Sequence, residues 1–227
     1  MRKLITNIIG AASLVLFIVA IYMAFLYAPT EVSMGPVQRI FYFHVSFAWT
    51  SFIAFFVTFA ASGMYLLTRK RLWDIVASSS VELGVAFACI ILTTGPIWAR
   101  PVWGAYWTWD PRLVTTLILL FIFSAYLMLR GAIEEETKRG RYSAVIGIIG
   151  FLDVPIVYFS VNWWSRTIHP DVIKPEGAAM HPHMLQSLYV ALIAVTLFYF
   201  FALFRRIRLE ELRDEVRELR KSILKES

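Results

Sequence analysis

Cysteine is almost missing from this chain: Cys89 is the single one in 227 residues. That excludes an internal disulfide, a CxxC redox pair, a thiolate zinc site and a CxxCH haem-attachment site. Charge is scarce as well. Asp, Glu, Lys and Arg make up 17% of the residues, against about 25% in ordinary soluble domains. There is no internal repeat and no low-complexity segment. Apolar residues are abundant instead, at 59%, with 18 Phe, 10 Tyr and 8 Trp. A disordered chain, a coiled-coil rod and a small disulfide scaffold do not have this composition. The composition is that of an integral membrane protein.

A hydrocarbon core of about 30 Å needs roughly 20 apolar residues per helix. Six stretches qualify: Ile8 to Ala28, Phe43 to Leu67, Val76 to Ile97, Leu113 to Leu129, Tyr142 to Val161 and Met184 to Phe204. The first follows Arg2 and Lys3, as a signal peptide would. Its apolar run is longer than the usual 7–15 residues and no small-x-small cleavage site follows, so it reads as a retained span. The fold class is therefore all-α, a polytopic bundle of six transmembrane helices. Residues 1–204 form the membrane domain, and residues 205–227 a cytoplasmic tail. Pro155 is expected to kink the fifth span.

Lys and Arg set the orientation. With both termini cytoplasmic, 17 of the 22 Lys and Arg residues lie inside. Only Arg39, Arg100, Arg112, Arg166 and Lys174 lie outside. The net charge of +6 thus follows the membrane rule, which makes lipid, and not nucleic acid, the expected partner surface. In the tail, Leu209, Leu212, Val216, Leu219 and Ile223 recur at alternating spacings of three and four, so an amphipathic helix is expected there. It could dock on a cytoplasmic partner or lie at the membrane surface.

Counting crossings brings distant residues to one face. His44 stands at the outer start of the second span, and His169, His181 and His183 lie in the last outer loop. Trp98, Trp103, Trp107, Trp109, Trp163 and Trp164 share that side, whereas Trp73 alone faces the cytoplasm. An aromatic belt would populate both interfaces. Any one of these Trp residues could be an interfacial anchor, and any one His a polar residue at the water boundary. Together, two imidazoles from different loops beside an indole platform suit axial ligation of a haem iron. Arg39, Arg100, Arg112 and Arg166 are candidates for the propionates. His181-Pro-His183 resembles a zinc clamp, but no third ligand is evident. Asp110 before Pro111 also has a plain structural reading, as the N-cap of the fourth span.

Glu82 and Asp153 fall inside spans, where acids are functional candidates; either could equally be protonated and bonded to a neighbouring helix. Cys89 reads as a small buried apolar residue.

Trp103-Gly-x-x-Trp107-x-Trp109-Asp110 resembles the tryptophan-rich WWD signature of haem-handling proteins in cytochrome c biogenesis. Thr94-Gly95, Trp98, Pro101 and Asp110-Pro-Arg112-Leu113 fit the same pattern. Met34-Gly-x-x-Gln38-Arg39-Ile40 with His44-Val45 and Ala48-Trp49 is similar to its first histidine segment, and Ser160-Val-Asn-Trp163-Trp164 leading to His169 to its second. Ser46 departs from the Pro common after the first histidine. With six spans, the chain resembles the haem exporter protein C (CcmC) family from Met34 to His183.

The resemblance implies a haem-delivery factor rather than a conventional enzyme. It would bind haem b non-covalently and transiently at the extracytoplasmic face of a bacterial or archaeal inner membrane. Carried over by position, the iron ligands are His44 and His169, with His181 or His183 as alternatives to the latter. Trp103, Trp107, Trp109 and Asp110 form the platform, with Trp163, Trp164, Arg39 and Arg112 around it. The implied partners are a membrane-tethered haem chaperone, ABC transporter subunits and a small single-span accessory subunit. The competing readings are an electron-transfer cytochrome b, which would carry paired His within its spans, and a substrate transporter, which needs broken helices at the midplane.

Overall fold

The computed structural model describes residues 2–164, 173–174, 177–178 and 180–226. His169 and Arg166 lie outside the described residues, as does the side chain of Lys174. The described residues form seven α-helices: α1 (Arg2–Tyr22), α2 (Ile40–Thr68), α3 (Arg71–Trp103), α4 (Pro111–Ala132), α5 (Glu136–Phe151), α6 (Asp153–Trp163) and α7 (Pro182–Glu226). A π-helical turn, Met23–Tyr27, prolongs α1, and a 3-10 turn, Pro36–Arg39, leads into α2. Ile173–Lys174 and Gly177–Ala178 pair as a two-residue antiparallel ladder.

Among the described residues six helical segments are long and apolar enough to cross a membrane, as the sequence predicts, with α5 and α6 together making the fifth. The break between them falls at Leu152, three residues before Pro155. Proline has no N–H to offer the carbonyl four residues back and its ring crowds that turn, which accounts for the interruption of the helix here.

α2 is the central element, packed against α3, α5 and α7, while α1 packs chiefly on α7. Lipid is as apolar as leucine, so helices in a membrane gain by close fit rather than by expelling water. The fit here is tight: a Cβ on Gly84 of α3 would stand 2.6 Å from Cε1 of Phe55 on α2. Phe55 in turn lies flat on Phe123 of α4, with ring centroids 3.9 Å apart. Around that stack Val81, Ala88, Leu119, Tyr126, Val154 and Val157 are buried.

The charged end of the bundle is held by ion pairs. Asp74, 3% exposed, receives Nη1 of Arg130 at 2.6 Å and Nη2 at 3.1 Å, and it also bonds Arg71. Arg71 reaches on to Asp214 at 2.9 Å, and Arg217 to Glu136 at 2.5 Å. These bonds tie the tail to the short loops at that end. The tail is helical, as expected, but no break separates it from the last span: α7 runs through residue 204 without interruption. All five residues of its apolar stripe, Leu209, Leu212, Val216, Leu219 and Ile223, are exposed.

The remaining three residues fare differently. Glu82 bonds a neighbouring helix, as its second reading has it: Arg206 of α7 meets its two oxygens at 2.5 and 2.8 Å in a salt bridge. Asp153 is buried, yet its Oδ2 has no hydrogen-bond partner among the described residues. Cys89 is exposed on α3 rather than buried; on a lipid-facing helix surface a small apolar side chain is equally at home.

Candidate functional site

The helices alternate in direction, so the start of α2, the end of α3, the start of α4 and the end of α6 meet at one end of the bundle. Between them lies a cavity of about 370 Å³. His44, Ala48, Trp49 and Phe52 of α2 line it, with Ala88, Ile91, Gly95, Trp98 and Trp103 of α3 opposite. Arg112, Leu113, Thr116 and Leu119 of α4 and Val157, Tyr158, Val161 and Asn162 of α6 close the remaining sides. Arg112 and Asn162 stand toward the helix ends; Ser51, Phe52, Ala88 and Leu119 lie deeper. A mostly apolar pocket with a few convergent polar groups is the usual form of a small-molecule site. The sequence implies an indole platform at the outer face. The cavity instead descends between the spans.

His44 is the histidine in its wall. Its Nδ1 lies 2.9 Å from Oγ1 of Thr94. Gly95 is the reason the ring sits so close to α3: a Cβ there would come within 3.3 Å of Cε1 of His44. The Thr94-Gly95 pair therefore forms the seat of the imidazole, a role that sequence spacing alone does not reveal.

α3 runs past the expected span end at Ile97 and stops at Trp103, because Gly104 adopts φ +77°, a conformation that costs glycine little. Arg100 secures this turn by donating to the Gly104 carbonyl at 2.7 Å. The tryptophan-rich segment is consequently split. Trp98 and Trp103 sit on the last turns of α3, edge to face at 5.2 Å and 82°, and both line the cavity. Trp98 Nε1 is buried there with no hydrogen-bond partner among the described residues. Trp107 and Trp109 form a second edge-to-face pair at 6.0 Å in the connection to α4, with Trp109 80% exposed. These two indoles are not in the cavity wall.

Asp110 is the N-cap of α4, as the Asp-Pro step predicts. Its carboxylate accepts the Arg112 N–H at 3.0 Å, with Pro111 at the first helical position. The Arg112 side chain crosses to α6 and donates to the Tyr158 carbonyl at 2.9 Å, which fixes the guanidinium at the cavity rim. Arg39 stands elsewhere, over the Phe25 ring at 5.8 Å. Trp163 stacks on Phe159 at 5.5 Å and contacts Trp164, both exposed beyond the rim. His183 stacks on Tyr27 at 4.5 Å, and its backbone N–H donates to Nδ1 of His181 at 3.2 Å. Among the described residues no cluster of three or more His, Cys, Asp or Glu forms a metal site.

The sequence matches the family described as Heme exporter protein C over residues 1–222. It is 34% identical over 212 residues to a Heme exporter protein C of Bradyrhizobium diazoefficiens, covering 93% of this chain and 80% of that protein. It is 32% identical over 185 residues to a ccmC-like mitochondrial protein of cytochrome c biosynthesis from Marchantia polymorpha, covering 82% and 78%. A Heme exporter protein C of Escherichia coli is 31% identical over 161 residues, covering 71% and 65%.

Proposed function

This chain belongs to the Heme exporter protein C family, and from that premise we propose that it holds haem b, non-covalently and transiently, at the outer face of a bacterial inner membrane. It then delivers the haem to a membrane-tethered chaperone for cytochrome c maturation. The observation that carries the reading is a cavity with one imidazole, three indoles (Trp49, Trp98 and Trp103) and an arginine in its lining.

His44 supplies one axial nitrogen, and His169 of the last outer loop the other. Trp98 and Trp103 face the porphyrin edge inside the cavity. Trp107, Trp109, Trp163 and Trp164 extend the aromatic surface beyond it. Arg112, held on the Tyr158 carbonyl, brings a guanidinium charge to the cavity rim for a propionate, and Arg39 adds positive charge at the same end of the bundle. Asp110 acts by capping α4 and so holding the Trp109-to-Arg112 turn. Neutral imidazoles and an aromatic wall bind without a covalent bond, so an incoming chaperone can compete for the cargo. At about 370 Å³ the cavity is near the lower end of the roughly 300–1,000 Å³ typical of ligand pockets. It grips one part of the disc and leaves an edge accessible for transfer. ABC transporter subunits and a small single-span subunit complete the machinery in which delivery takes place.

The test is to make His44→Ala and His169→Ala singly and purify each with its haem. Visible spectra, pyridine-haemochrome content and chaperone loading are then recorded. Each variant is expected to lose most of its haem. If both keep wild-type haem content and loading, the ligand assignment fails.

A further inference from the structure

Thr94 bonds in two directions. Its Oγ1 lies 2.8 Å from the Ile90 carbonyl, four residues back along α3, and 2.9 Å from Nδ1 of His44. A hydroxyl has one proton to donate and lone pairs to accept with. On a helix that proton goes readily to the carbonyl one turn behind. The Thr94 oxygen then accepts from His44, so the proton of the neutral imidazole resides on Nδ1. The lone pair falls on Nε2, at the other side of the ring. Gly95 leaves the room for this seating.

From this we infer that Thr94 is a positioning residue: it holds His44 as the Nδ1–H tautomer, so that Nε2 is the nitrogen presented to iron. The inference rests on the reading of His44 as a haem ligand, and it concerns how that ligand is made ready before any haem arrives. A ligating histidine whose second nitrogen donates a hydrogen bond is fixed in orientation and tautomer, and such outer partners are worth about 10–100-fold in metal affinity. The acceptor here is a neutral hydroxyl rather than a carboxylate, so the lower end of that range applies.

The experiment begins with haem-free protein. With only four histidines, ring-¹⁵N labelling in detergent gives a resolvable spectrum, and a His44→Gln sample assigns the His44 pair. The wild type is expected to show a protonated Nδ1 and an unprotonated Nε2 at His44. Thr94→Val, nearly the same size, should shift that population toward the other tautomer, and Thr94→Ser should restore it. In hemin titrations Thr94→Val should bind about 10-fold more weakly, with Thr94→Ser close to wild type. A wild-type His44 protonated on Nε2 would overturn the inference. So would a Thr94→Val protein with an unchanged tautomer, or one that binds hemin as tightly as wild type. Failure of the ligand reading shows in a different sample, as undiminished hemin affinity in His44→Ala.

Discussion

Replacing Arg130 by Met tests how the charged end of the bundle is held together. Asp74 is 3% exposed, and the Arg130 side chain that binds both its oxygens is 13% exposed. Removing one partner of a buried ion pair typically costs about 3–5 kcal/mol, because the other charge is left without compensation. Arg71 remains on Asp74, but its side chain is 34% exposed and it is shared with Asp214, so its compensation is partial. The expected loss is therefore about 2–3 kcal/mol. For a chain of this length each kcal/mol is worth about 2–4 °C, which places the drop in Tm at about 4–12 °C. The assay is thermal unfolding in a mild detergent, followed by size-exclusion chromatography of the heated samples. Asp74→Leu combined with Arg130→Met replaces the pair by apolar groups and should recover most of the loss. A single variant within 1 °C of wild type would refute the reasoning. A double variant as unstable as the sum of both single changes would do so too.

Gly84→Ala should destabilise the bundle by about 1–3 kcal/mol, because the new methyl meets the Phe55 ring, itself locked on Phe123; detergent-denaturation midpoints read this directly, and an unchanged midpoint would mean that the stack can slide. Glu31 titrates below the ordinary carboxylate value because it accepts the Met34 N–H and bonds Ser33. Since the folded pKa is the lower one, the ordering it confers on the turn before α2 is complete above pH 4.5 and lost as pH falls through the depressed value. Hydrogen exchange at Ser33 and Met34 against pH should show that loss in wild type, and Glu31→Gln should flatten the profile.

Much of the candidate site is legible along the chain. The tryptophans near Trp103, the Asp110-Pro111 cap and His44 at the start of the second span are all visible as residue types at telling places. Other features are not. Nothing in the spacing of Thr94 and His44, 50 residues apart, says that one seats the other. The separation of the indoles into a pair in the cavity wall and a pair beyond it follows from where Gly104 ends α3, which periodicity does not reveal. Glu82 looks like an isolated intramembrane acid until Arg206 is found beside it. His169 lies outside the described residues, so its assignment rests on its position after Trp163-Trp164.

The number of spans, the clustering of tryptophan at one end and the helical tail were set by the sequence alone, because they depend on apolar run lengths and on the alternation of crossings. Only the tertiary structure decided that a cavity descends between α2, α3, α4 and α6, and which side chains enter its wall. That outcome depends on the angle and register at which helices meet. These come from close packing at sites such as Gly84 against Phe55, contacts between residues that the chain keeps far apart.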